Sequence, residues 1–225
     1  MSDFHQIYDN GSVKPLRLLK ATLRNVETAA GIVRRGGLIV YPTDTVYGLG
    51  CDPFNLKAIK RLLQVKDPMQ KRKEKPLPIL SNSLSNIERV AQISSAARIL
   101  AERFWPGPLT LILPKKNLPK IGTSGQEDIG VRIPNNETSL MLLRASGGLL
   151  IGTSANKTGC PPPINMNEAI EQLGDQVDLF LDGGTTQVKV SSTVVDMTHR
   201  EPRILRQGAI NLNQILRSLR SHNSN

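Results

Sequence analysis

The sequence is poor in the residues that most often advertise a chemistry. Only 4% of its 225 residues are Phe, Trp or Tyr, which argues against the aromatic platforms on which single-stranded nucleic acid stacks. There are two cysteines, Cys51 and Cys160, far apart and in no CxxC spacing, and three scattered histidines, His5, His199 and His222. They make no zinc site, and the thiols read as free and buried in a reducing compartment. No apolar run approaches the ~18 residues a membrane helix needs. Met1 to Lys20 has no signal-type apolar core, so the default location is the cytoplasm, with no membrane partner. Three familiar signatures are missing as well. Gly152 to Thr158 comes near a P-loop, but Lys157 lacks the preceding glycine and the spacing is a residue short. There is no GxGxxG. Ser154 sits in no GxSxG elbow, and no histidine lies near it in sequence. A nucleotide site here is neither a P-loop nor a Rossmann loop.

What is present is positive charge: 29 Lys and Arg against 19 Asp and Glu, a net +10. Such an excess favours polyanionic partners, whether nucleic acid, nucleotide or phosphate, and is equally met by a solvated basic surface. With 39% hydrophobic and 21% charged residues the chain suits a globular protein, long enough for one full-sized core or two small ones.

Pattern and punctuation give the order of elements. Residues 1–20 read as a lead-in ending in an edge strand. Thr22–Arg35 reads as a helix with Leu23, Val26, Ala29, Ala30 and Val33 inward, stopped by Gly36-Gly37. Leu38–Tyr41 is a buried strand, ended by Pro42, with a glycine-containing turn after it. Asn55 caps a helix, Leu56–Val65, and Leu77–Leu80 is a strand. Between them, Lys66–Pro76 holds five basic residues and two prolines, so it reads as an exposed loop that is mobile without a ligand. Ser85 and Ser94 cap Asn86–Ala91 and Ser95–Phe104; Trp105-Pro106-Gly107-Pro108 is a stop; Leu109–Leu113 is a strand. Lys115–Glu127 reads as a mobile connection. Strand Ile129–Ile133, helix Glu137–Ala145 and strand Leu149–Gly152 follow. Asn167 caps a helix to Leu173, three strands span Leu179–Leu181, Thr193–Val195 and Arg203–Leu205, and a helix covers Asn213–Leu219. A disordered tail is expected from Ser221. The alternation predicts one α/β domain over residues 21–210, a twisted mixed sheet flanked by helices, with residues 211–225 as a terminal helix and tail.

Polar residues gather where strands end. Leu38–Tyr41 opens onto Thr43-Asp44-Thr45, Leu149–Gly152 opens onto Thr153-Ser154-Ala155-Asn156, and Ser191-Ser192-Thr193 leads into a strand. Such ends can cradle a phosphate or carboxylate, or be ordinary capped turns. Lys66, Arg72 and Lys75 can neutralise a triphosphate or simply be solvated. Arg206, after Ile204-Leu205 and before Gly208, reads as held. Arg132 lies in an apolar strand, where an unpaired charge is costly; its partner is an anionic ligand or an internal acid such as Asp44, Asp182 or Asp196.

Taken together these motifs resemble the YrdC-like threonylcarbamoyl-AMP synthase family. The resemblance rests on Pro42-Thr43-Asp44-Thr45-Val46-Tyr47-Gly48-Leu49-Gly50, Lys75-Pro76-Leu77, Trp105-Pro106-Gly107-Pro108-Leu109-Thr110 and Val131-Arg132-Ile133-Pro134. It continues through Thr153-Ser154-Ala155-Asn156, Ser192-Thr193-Val194-Val195-Asp196 and Ile204-Leu205-Arg206-Gln207-Gly208, in the family's order, over residues 20–210. It implies a basic concave face and condensation of L-threonine, bicarbonate and ATP into threonylcarbamoyl-AMP and pyrophosphate. Magnesium would be held mainly by phosphates and water. The product would feed a separate transferase that makes threonylcarbamoyladenosine in tRNA. The resemblance further implies that Thr45, Arg132 and Ser192 hold threonine, and that Lys66, Arg72, Lys75, Ser154, Asn156 and Arg206 serve ATP. Two departures stand out. An insertion separates Lys66 from Arg72, leaving Lys71, Arg72 and Lys73 to share one family position. Leu80 stands where long-form members often have a histidine. The chain's end soon after Gly208 implies the short form. Two rival readings stay open on the residues alone: a basic RNA-binding module, and a carbamoyl-transfer domain of the same fold.

Overall fold

The structure, a computed structural model, describes residues 17–68, 76–119 and 126–220. In chain order the first half comprises β1 (Leu18–Lys20), α1 (Leu23–Arg34), β2 (Ile39–Tyr41), β3 (Gly48–Gly50), α2 (Leu56–Lys66), β4 (Ile79–Ser81), α3 (Leu84–Glu88) and α4 (Ser95–Phe104). The second comprises β5 (Leu109–Pro114), β6 (Asp128–Arg132), α5 (Glu137–Ala145), β7 (Leu149–Ile151), β8 (Thr153–Ser154), α6 (Met166–Leu173), β9 (Leu179–Asp182), β10 (Thr193–Asp196), β11 (Arg203–Arg206) and α7 (Leu212–Arg220). The helices start on polar side chains that accept from first-turn N–H groups, otherwise unpaired. Thr22, Asn55, Ser83, Ser94, Asn136 and Asn165 do this for α1 to α6, and Asn211 does it for α7.

The strands form two mixed sheets, ordered β1-β9-β2-β3-β8 and β11-β10-β5-β6-β4-β7. This corrects the expectation of one sheet; the α/β class with flanking helices stands. The period of two along β2, β4, β7 and β9 divides their side chains between two apolar layers. Val40, Ile79, Ile151 and Phe180 enter the larger layer, shared with α2, α3, α4 and α6. Ile39, Tyr41, Leu80, Leu150, Leu179 and Leu181 enter the other, against α1 and α5. The sheets are stitched where β7 passes into β8. Ile151 donates to the Cys51 carbonyl at 2.9 Å, and Gly152 donates to the Pro78 carbonyl at 2.9 Å. A side chain at Gly152 would place its Cβ 2.3 Å from Leu80 Cγ. Glycine is required at the crossing for want of space.

Several expectations shift. Gly48-Leu49-Gly50 is a strand antiparallel to β2 and not part of a turn. The Tyr41 ring lies across it: a Cβ on Gly50 would meet Tyr41 Cε1 at 2.8 Å. The caps at Ser85 and Asn167 are instead Ser83 and Asn165, two residues earlier. Leu23 is 72% exposed, and Ile32 takes the inward place on α1. Cys51 is buried as expected, but Cys160 is exposed. Met1–Leu16, most of the Lys66–Pro76 loop, residues 120–125 and the Ser221 tail lie outside the described residues.

Candidate active site

Pro42 ends β2, and residues 43–47 turn the chain into β3. Thr43 fixes that turn: its hydroxyl donates to the Val46 carbonyl at 2.6 Å and accepts from the N–H groups of Thr45 and Val46 at 3.1 and 3.3 Å. Ser139, in the first turn of α5, donates to the Pro42 carbonyl at 2.9 Å. The turn is not a surface loop, for Thr43, Asp44 and Thr45 are all buried.

Arg132, the last residue of β6, reaches into this turn and is 5% exposed. Its Nε donates to the Gly107 carbonyl at 2.8 Å, Nη1 to Thr45 Oγ1 at 2.9 Å, and Nη2 to Asp44 Oδ1 at 2.5 Å. Of the three acids the sequence offered, Asp44 is the partner. Asp182 pairs with Lys20 at 2.5 Å, and Asp196 lies 3.5 Å from His199. The other carboxylate oxygen of Asp44 is buried with no partner among the described residues. Burial pulls the Arg132 pKa below its ordinary value, and the Asp44 charge opposes that fall.

A second group gathers at the start of β10. Ser192 Oγ and Thr110 Oγ1 share a hydrogen bond of 2.8 Å. Arg206, from β11, donates through Nε and Nη2 to the Ser192 carbonyl at 3.1 and 2.9 Å, and through Nη2 to its hydroxyl at 3.1 Å. Partial burial lowers the Arg206 pKa, and the Arg132 charge lowers it further. The two guanidinium groups therefore lie close enough to repel, an arrangement that favours an anion.

A third group surrounds the end of α2. Lys66 Nζ donates to the carbonyls of Ser154 and Asn156 at 2.7 and 2.6 Å and to Asn156 Oδ1 at 3.1 Å. Burial brings its amine down to about 8. The first and third groups sit on neighbouring strands: Gly48 pairs with Ser154, and Ala155 donates to the Tyr47 carbonyl at 2.9 Å.

The structure thus joins Thr45 to Arg132, Ser192 to Arg206, and Lys66 to Ser154 and Asn156. Arg72 and Lys75 lie outside the described residues, as do Lys71 and Lys73. Leu80 is apolar and buried, beside Arg132 in the β4–β6 register. Sequence reasoning missed the parts played by Thr110 and the Gly107 carbonyl. Both fall inside the Trp105–Thr110 motif, so a signal was there, but a backbone oxygen aimed at an arginine leaves no mark in side-chain pattern. Among the described residues, no three of His, Cys, Asp and Glu converge as a metal cage. No described helix is long and apolar enough to cross a membrane.

The family model for Sua5, YciO and YrdC proteins, described as "Telomere recombination", matches residues 31–208. The threonylcarbamoyl-AMP synthase of Pyrococcus abyssi is 38% identical over 192 residues, covering 84% of this chain and 56% of that protein. A putative threonylcarbamoyl-AMP synthase of Mycobacterium tuberculosis is 36% identical over 200 residues, covering 85% of this chain and 88% of that one. The crystal structure of P. abyssi Sua5 complexed with L-threonine matches with a TM-score of 0.85 and 35% identity, over 90% of this chain and 60% of that one. Escherichia coli YciO matches with a TM-score of 0.79 and 28% identity, over 89% and 98%. The chain spans little more than half the length of the pyrococcal protein.

Proposed function

The chain belongs to the Sua5, YciO and YrdC family, and from that premise we propose that it is an L-threonylcarbamoyladenylate synthase. It takes L-threonine, bicarbonate or carbon dioxide, and ATP, and releases threonylcarbamoyl-AMP and pyrophosphate. The observation that carries this reading is the buried Arg132 guanidinium, tied to Thr45 and Asp44 beside a second arginine. A guanidinium holds a small carboxylate bidentately, and Arg132 commits three of its five N–H groups within the protein.

In this proposal Thr45, Arg132 and Ser192 hold the amino acid. The threonine amine attacks carbon dioxide, a C–N bond forms, and the nitrogen gives up a proton to become a carbamate. A carbamate oxygen then attacks the α-phosphorus of ATP, and the bond to pyrophosphate breaks. Neither step needs a dedicated acid or base. Arg206 and the Ser154–Asn156 turn, with Arg72 and Lys75 of the basic loop, place the nucleotide and offset its charge. Magnesium would arrive with ATP, held by phosphate oxygens and water, since the described residues offer no cage. The reaction would run in the cytoplasm and feed the transferase that completes threonylcarbamoyladenosine in tRNA, with tRNA itself a further candidate for the basic face.

The deciding assay is pyrophosphate release from ATP. It is expected only when L-threonine and bicarbonate are both present. Release independent of the amino acid, or use of carbamoyl phosphate in its place, would overturn the proposal and favour the carbamoyl-transfer reading.

A further inference from the structure

We infer that Lys66 is a positioning residue, an internal brace that shapes the Ser154–Asn156 turn instead of gripping phosphate itself. This rests on the proposal that the turn serves ATP, and it changes how Lys66 contributes. An ammonium group has three N–H donors. All three are engaged within the protein, at 2.7, 2.6 and 3.1 Å, by two carbonyls and one side-chain amide oxygen. None is left over for a phosphate oxygen.

The rest of the neighbourhood closes around the same residue. The Lys66 carbonyl accepts from Thr158 N at 3.0 Å, so the lysine holds the segment from both its side chain and its backbone. Asn156 turns its amide nitrogen the other way, to the carbonyls of Lys157 and Cys160 at 3.0 and 2.7 Å. Cys160 N in turn donates to the Lys157 carbonyl at 3.0 Å. Asn156 therefore links the ammonium on one side to the 157–160 turn on the other. Without the ammonium, three oxygen atoms would converge with nothing between them, and a buried acceptor without a donor is costly. The turn would relax to separate them.

The position of Lys66 suits this part. It is the last residue of α2, and its neighbour Val65 is buried in the core. The stem is short of freedom, and a swing toward a ligand would abandon three hydrogen bonds for at most as many new ones. An amine pulled down to about 8 by burial is consistent with a group largely, though not wholly, surrounded by protein atoms.

Amide hydrogen exchange on Lys66→Met, measured without any nucleotide, tests the brace. The amides of Thr158 and Cys160 are expected to exchange at least tenfold faster than in the unsubstituted protein. Asn156→Ala, which keeps the charge and removes one acceptor and the link to Cys160, is expected to open the same amides and serves if Lys66→Met does not fold. ATP affinity, by calorimetry, should fall in both variants, while L-threonine affinity stays within about twofold. Unchanged exchange in both variants, with ATP affinity lost only in Lys66→Met, would overturn the inference and return the lysine to the phosphates. If the unsubstituted protein binds no ATP, the proposed function fails, and the exchange result still decides whether Lys66 is a brace.

Discussion

Two arginines stand near each other in this site and live in opposite circumstances. Arg132 is buried, with a carboxylate at 2.5 Å and a carbonyl and a hydroxyl on its other nitrogens. Arg206 is more exposed, and among the described residues it bonds to the carbonyl and hydroxyl of one serine and to no acid. Arg132 has its counter-charge supplied by the fold; Arg206 is aimed by the fold and left positive. The first is part of the architecture as well as of the site. The second can be removed with little consequence for folding, and among the described residues no acid of the fold offsets its charge before an anion arrives.

The largest effect that could break this contrast is on stability. Arg132→Ala strands Asp44 as a buried, unpaired carboxylate, and breaking a buried pair from one side costs about 3–5 kcal/mol. Urea unfolding should show that loss, together with a larger fall in threonine affinity than in ATP affinity. A variant as stable as the parent would erase the distinction. Next comes Arg206→Ala, expected to leave unfolding within about 0.5 kcal/mol while weakening ATP by roughly 1.5–3 kcal/mol, the size of a hydrogen bond to a charged group. Calorimetry with ATP would measure it, and a large loss of stability in its place would mean that Arg206 also belongs to the architecture.

Lys66 sharpens the comparison through pH. Its amine is held at about 8 in the folded protein, below the ordinary 10.5. The unfolded chain binds the extra proton between those values, so this group's contribution to stability rises as pH climbs from about 8 toward 10.5. Unfolding free energy followed across that window should carry an upward component that Lys66→Met lacks. A slope identical in the two proteins would mean that partial burial does not depress the amine. The smallest expected effect is on the substrate. Serine in place of threonine removes one methyl contact, worth about 0.8 kcal/mol, so serine should trail threonine a few-fold. Alanine should trail further because it leaves the pocket's hydroxyl partners unpaired. Thr45→Val should blunt that ranking, as read by amino-acid-dependent pyrophosphate release.

Much of the scaffold was legible in the sequence because local signals agreed with the fold. Asn55 and Ser94 are caps by residue type and by position, and Ser95–Phe104 and Glu137–Ala145 have the spans their patterns predict. Where two capping residues lie two apart, local chemistry cannot choose between them. Packing does: starting at Ser83 sets Ile87 in the core, and starting at Asn165 sets Met166, Ala169 and Leu173 there. Gly48-Leu49-Gly50 was illegible as a strand because glycine disfavours strands, and the reason it works is the Tyr41 ring lying against it. In the site, the strand-end hydroxyls and Arg132 were visible as types in suggestive places. Which acid would meet Arg132 was not, since the choice among Asp44, Asp182 and Asp196 depends on which strands become neighbours.

The single-glycine passage from β7 into β8 sets a rule for the length of the chain. Ile151 belongs to one sheet and Thr153 to the other, and both are held in register, Ile151 opposite Ile79 and Thr153 opposite Leu49. One residue added or removed between them would turn Ser154 to the opposite face of its sheet and carry Ala155 and Asn156 with it. An insertion at residue 152 should therefore abolish function. The spacing between the two sheets is as fixed a requirement as any side chain in the site.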